Sequence, residues 1–159
     1  MNAPIPPEAA AAFVARSPDA AMITRRPDGN AHVARVEVAV VDGQLRSTCS
    51  ATLVRIRNLR TDPRSTLFLF DEHPWWLGLE TETTIIEGPT AGPALVEFLR
   101  ARHPDTPEGW VMAHDEEMGQ DRLVPEAEYL ARAAVDELLL VEFAITRAYG
   151  NVPDDPDGV

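Results

Sequence analysis

The chain has 159 residues, 45% of them apolar and 25% charged, with a net charge of −12. That is the size and balance of one soluble globular domain, neither disordered nor fibrous. A single cysteine, Cys49, excludes an internal disulfide and any multi-cysteine zinc site, and the lack of lysine excludes covalent pyridoxal phosphate and a P-loop.

Pro4 to Pro7 reads as an extended entry into a short helix over Glu8–Arg16. Its apolar run Ala9–Ala15 is seven residues, far short of the ~20 that span a membrane. No base precedes Arg16 and Glu8 is acidic, so this start does not resemble a secretory signal. A cytoplasmic protein without membrane contact is expected. Ala20–Thr24 is a short strand, and Arg26-Pro27-Asp28-Gly29-Asn30 a turn. His32–Val41 alternates with period two, as a half-buried strand does. Asp42-Gly43 then marks a hairpin whose second arm is Gln44–Thr48. Over Ala51–Thr61 the period changes: Leu53, Ile56 and Leu59 form a helical stripe, Ser50 is placed as N-cap, and Asp62-Pro63 ends the helix.

Strand character returns over Arg64–Phe70 and, past the turn Asp71–Pro74, over Trp75–Glu87. Leu95, Phe98, Leu99 and Arg102 give a helix over Gly92–Arg102, while residues 103–124 read as irregular. A helix over Pro125–Val135 and a closing strand over Leu138–Tyr149 complete a domain of residues 1–150. Residues 151–159 read as a flexible acidic tail. Strands predominate, with one helix inserted after the third, which points to a β-barrel with peripheral helices.

Charge is distributed unevenly: residues 1–64 carry +3 and residues 65–159 carry −15. The acidic total argues against a nucleic-acid partner, but the first part suits a small anion. The helix after the third strand is the place for one. Its first turn has no acid, Arg55 follows, and Ser47, Thr48 and Ser50 lie just upstream. Free amides, hydroxyls and a guanidinium at one helix end describe a phosphate pocket. Arg55 and Arg57 flank the apolar stripe on opposite sides, so one of them reaches that pocket, and Arg55 is the nearer. A plain amphipathic helix with arginines over its rim is the competing reading.

Thr24-Arg25-Arg26-Pro27-Asp28-Gly29-Asn30-Ala31-His32-Val33, followed by Arg57-Asn58-Leu59-Arg60-Thr61-Asp62-Pro63-Arg64, resembles the split-barrel flavin and deazaflavin oxidoreductases. This is the superfamily of pyridoxamine 5′-phosphate oxidase, and the actinobacterial branch using coenzyme F-420 is the most similar part of it. The resemblance runs from about Ala20 to Gly88 and resumes at Tyr129–Gly150. It implies a mainly β, six-stranded antiparallel split barrel of the FMN-binding type. It also implies a homodimer with a cofactor in each groove between subunits. Arg55 would bind the cofactor phosphate with Thr48 and Ser50, and Arg35 and Val36 would lie beside the ring system. Trp75 and Trp76 would line the groove, and Asn58 of the second motif completes the cofactor-binding set. The implied activity is hydride transfer from reduced F-420 to a small unsaturated or oxidised organic substrate. No side chain is obliged to be catalytic, since the cofactor carries the chemistry. An FMN-dependent oxidase or reductase of the same fold, or a non-catalytic flavin-like ligand-binding protein, are the alternatives. Residues 89–124 match nothing in the family; the two helices framing them could shape a lid, and the sequence leaves their role open.

The remaining candidates have plainer readings. Trp75 and Trp76 are adjacent on an expected strand, so one is core and the other is free to stack on a ring or an interface. His32, His73, His103 and His114 lack metal-ligand spacing and read as surface residues, so no metal is expected. The acidic run at Asp115 lacks the rhythm of a calcium loop. Ser47 and Ser50 have no evident base. Cys49 reads as a small buried hydrophobe, and Tyr149 as a core or interface tyrosine in preference to a proton donor.

Overall fold

The computed structural model describes residues 4–154, so part of the expected acidic tail lies outside the described residues. In chain order the elements are α1 (Pro7–Arg16), β1 (Asp19–Arg25), β2 (Ala31–Glu37), β3 (Ala39–Val41), β4 (Gln44–Ser50), α2 (Val54–Thr61), β5 (Arg64–Phe70) and β6 (Trp76–Ile86). Then come α3 (Ala91–Arg102), β7 (Trp110–Asp115), β8 (Gln120–Pro125), α4 (Glu126–Val135) and β9 (Leu138–Asn151). None of the described helices is long and apolar enough to cross a membrane.

Seven strands pair antiparallel in the order β2-β1-β5-β6-β9-β4-β3. The two edge strands, β2 and β3, are consecutive in the chain and separated only by Val38. The sequence pattern made His32–Val41 one strand; it is broken at Val38, whose amide donates to the Pro18 carbonyl at 2.9 Å. One half of the run pairs with β1 and the other with β4. The sheet therefore curls back on itself. Counting β2 and β3 as one interrupted strand gives the expected six-stranded split barrel. Across the seam, the Ser47 hydroxyl donates to the Glu37 carbonyl at 2.7 Å.

Period-two alternation sends one side of each strand inward. Met22, Leu67, Leu69, Leu77, Leu79, Leu139 and Phe143 meet there, each at most 2% exposed. Phe13 of α1 and Ile56 and Leu59 of α2 pack onto the same cluster. The turn between β3 and β4 has Asp42 and Gly43 both at positive φ, 50° and 75°, as a two-residue hairpin of matching twist demands.

Outside the barrel, α3, the β7–β8 hairpin and α4 form a second layer around Val96, Val111 and Val124. This corrects the irregular reading of residues 103–124. In β8 only Val124 is buried, and in β7 only Val111. A two-stranded sheet burying one residue per strand leaves no alternation to read. Two smaller corrections concern α2 and β6. Ser50 is not the N-cap: α2 starts at Val54 after an extended Leu53 with no side-chain cap. Trp75 precedes β6 and packs against the barrel core, while Trp76 opens the strand.

Candidate functional site

A cleft of about 920 Å³ separates one rim of the barrel from the second layer. That volume is ample for a cofactor-sized molecule. Arg35 and Val36 of β2 and Thr48 and Ser50 of β4 form the barrel side. Leu99 and Arg102 of α3, Met112 and Val124 of the hairpin, and Tyr129 and Arg132 of α4 form the other. Sequence alternation on β2 places Arg35 outward and Val36 inward: Val36 is 5% exposed, and the Arg35 guanidinium meets Asp19 at 3.0 Å. Arg102 and Glu37 form an ion pair across the cleft between α3 and β2.

At the α2 end the chain folds tightly. The Ser50 and Thr52 hydroxyls are 3.0 Å apart, and Ser50 also donates to the Asp136 carbonyl at 3.3 Å. Both residues line the cleft. The Ile56 and Arg57 amides turn back onto the Leu53 carbonyl, while those of Val54 and Arg55 have no acceptor among the described residues. No acid sits in the first turn. Arg55 is half-buried beside Cys49: burial pushes the Cys49 thiol up, and the Arg55 guanidinium opposes that rise. Neither Arg55 nor Arg57 has a carboxylate within ion-pair distance among the described residues, whereas Arg60 is held by Glu87 at 2.7 Å. In so acidic a chain, an arginine without a carboxylate partner next to an open, acid-free helix start favours an anion.

The outer face of the barrel adjoins this cleft. The register places Arg35, Ala21, Phe68, Gly78 and Tyr149 in one row across five strands. Phe68 lies 5.9 Å from both Phe70 and Trp76, and Trp76 meets Tyr149 edge-on at 6.0 Å. A Cβ at Gly78 would stand 2.6 Å from the Tyr149 ring, so glycine is what lets that ring lie over the sheet. Phe70 is 65% exposed and Val33 61%.

No protein-family model and no curated protein sequence matches the chain. Solved structures do match in shape. A conserved hypothetical protein, Rv2991, from Mycobacterium tuberculosis aligns with a TM-score of 0.67 at 21% identity, covering 94% of this chain and 87% of that one. A putative pyridoxamine 5′-phosphate oxidase from Listeria innocua aligns with a TM-score of 0.61 at 9% identity, covering 91% of this chain and 96% of that one. The fold is the pyridoxamine 5′-phosphate oxidase-like split barrel. An F420 reductase aligns with a TM-score of 0.53 at 16% identity over 82% of this chain and 88% of its own. At these identities the likeness fixes the fold, and residue roles come from the geometry of this chain.

Within the split barrel, the eight expected cofactor residues separate into groups. Arg35, Val36, Thr48 and Ser50 converge on the cleft. Arg55, in the first turn of α2 beside Cys49, does not itself line it. Asn58 turns inward, 4% exposed, and donates to the Thr24 hydroxyl at 3.0 Å, so its amide ties α2 to β1. Trp75 is taken up by the core, and Trp76 belongs to the outer aromatic face. Cys49 is buried, as its sequence context implied. The histidines depart from a uniform surface reading. His32 is half-buried with Nδ1 unpartnered, and His103 and His114 both face Asp121, at 3.6 and 3.0 Å. No set of three metal-ligating side chains comes together among the described residues. Sequence reasoning missed Tyr129, Arg132 and the whole hairpin wall. The apolar stripe Tyr129, Leu130, Ala133 at helical spacing was the available signal.

Proposed function

We propose that this split barrel binds a phosphorylated flavin-type cofactor in the cleft and serves as an oxidoreductase, with coenzyme F-420 as the first candidate and FMN as the alternative. The observation carrying this reading is the uncapped, acid-free start of α2, with the Ser50 and Thr52 hydroxyls just before it and Arg55, in its first turn, without a carboxylate partner among the described residues. The residues present fit such a group: hydroxyls, free amides and a guanidinium suit a phosphate, and Val36 with Leu99, Met112 and Val124 across the cleft suits a flat ring. When bound, the cofactor would supply hydride to a small unsaturated or oxidised molecule. The chain's own part is to hold the phosphate, orient the ring and exclude water. The F420 reductase among the structural neighbours favours the deazaflavin, and the putative pyridoxamine 5′-phosphate oxidase favours keeping FMN in view.

The reading includes a homodimer. The exposed aromatic face is continuous with the cleft through Arg35, so a second copy seated on Phe68, Phe70 and Val33 would cover the apolar surface and wall the open cleft together. Titration of the purified chain with F-420 and with FMN, followed by ligand fluorescence, tests the assignment. Binding of either at micromolar concentration supports it and ranks the two cofactors. Failure of both removes the enzyme reading. Binding without turnover on any acceptor leaves a ligand-carrying protein.

A further inference from the structure

Tyr129 lies on α4 with its ring between two apolar clusters, one containing Leu95, Phe98 and Ala133 and the other Val111 and Val124. It lines the cleft on the side facing the barrel rim. No group among the described residues accepts from its hydroxyl, and that oxygen is not among the sealed, unpartnered atoms of the interior. The phenol is therefore a free donor at the cleft surface, on a ring held rigidly by packing. Phenylalanine would fill the same space without a polar tip to satisfy, so packing alone does not call for tyrosine. Burial pushes this phenol up to about 12, so it remains a neutral donor.

The charges around it narrow the ligand. On α4, Glu128 faces the cleft and Arg132 is drawn to Asp136 at 3.7 Å, with Glu137 following. Arg102 on α3 is occupied by Glu37. The cations near Tyr129 are paired and the carboxylates outnumber them, so an anionic group is disfavoured there. The adjoining wall of Leu99, Met112 and Val124 is apolar. We propose that Tyr129 is the hydrogen-bond donor of a subsite for a neutral carbonyl compound, gripping its oxygen while the flat apolar body lies against that wall. The inference rests on the redox reading only for calling that compound the substrate; as a binding site it stands alone.

The test uses a shape-matched pair, 1-tetralone and tetralin, titrated into the full chain and followed by amide chemical shifts. The wild type binds the ketone about fivefold more tightly than the hydrocarbon, as one neutral hydrogen bond implies. Tyr129→Phe binds both equally, with tetralin affinity unchanged. The carbonyl carbon of labelled 1-tetralone resonates further downfield when bound to the wild type than when bound to the variant, which offers it no donor. A preference that survives in Tyr129→Phe, no preference in the wild type, or no binding of either compound overturns the proposal. F-420 and FMN titrations on the same samples separate the two readings. If neither cofactor binds while the Tyr129-dependent preference persists, the redox reading falls and the carbonyl site stands; the reverse pattern removes only the carbonyl site.

Discussion

Replacing Arg55 with alanine is the sharpest perturbation of the proposed phosphate site. A guanidinium and a phosphate oxygen about 4 Å apart attract by about 1 kcal/mol in water and about 4 kcal/mol at the effective dielectric of a protein surface. Arg55 is half-buried beside the neutral Cys49 thiol and meets no carboxylate among the described residues, so it falls between those limits with its charge uncompensated. A loss of about 2 kcal/mol is expected, which is roughly 30-fold in Kd. Arg57 lies two residues on and is exposed; its field is screened by solvent. Arg57→Ala is expected to change affinity by no more than about twofold. The measurement is a fluorescence titration of F-420, and of FMN in parallel, with each protein at several salt concentrations. Far-UV circular dichroism and thermal melting confirm that the fold is retained. Equal losses at the two positions, or an Arg55→Ala affinity within twofold of wild type, refute the assignment of the phosphate to the start of α2. A loss confined to Arg57→Ala moves the site to the other side of the helix.

Asn58→Ala strands the buried Thr24 hydroxyl and opens a gap beside it, so stability in urea is expected to fall by about 1–3 kcal/mol while cofactor affinity is kept; lost affinity at unchanged stability would place Asn58 in the binding site instead. Phe70→Ser on the aromatic face is expected to convert a dimer to a monomer in sedimentation velocity with the melting profile of the monomer intact, and an unchanged sedimentation coefficient would remove that face as the interface. Tyr129 ionises near 12 in the folded chain against about 10 unfolded. A raised folded value means that its contribution to stability is complete below about pH 10 and is lost as pH climbs through 12. Absorbance at 295 nm, compared with Tyr129→Phe, checks this: the variant lacks a late-titrating phenol, and a Tyr129 step near pH 10 would show the ring is not buried as described.

The barrel was legible because its strands obey a local rule. Each of β1, β4, β5 and β6 alternates sides against a common core, and the Asp42-Gly43 turn and the Leu53, Ile56, Leu59 spacing are likewise properties of neighbouring residues. The acid-free start of α2 was readable for the same reason. Where the local rule failed, burial was sparse: Val111 and Val124 are the lone inward residues of their strands, and no pattern survives such dilution.

Which of the expected site residues meet was decided by tertiary structure. Asn58 and Arg55 are three residues apart, yet one faces Thr24 in the interior and the other faces outward beside Cys49. Adjacent Trp75 and Trp76 go to the core and to the outer face. The cleft joins residues from Arg35 to Leu138, and the free phenol of Tyr129 enters it from a helix more than 75 residues after β4. Periodicity reports which side of an element is buried, because that depends on nearest neighbours. It carries no information on what lies across a gap, because that depends on how the sheet closes at Val38 and on the layer that folds over it.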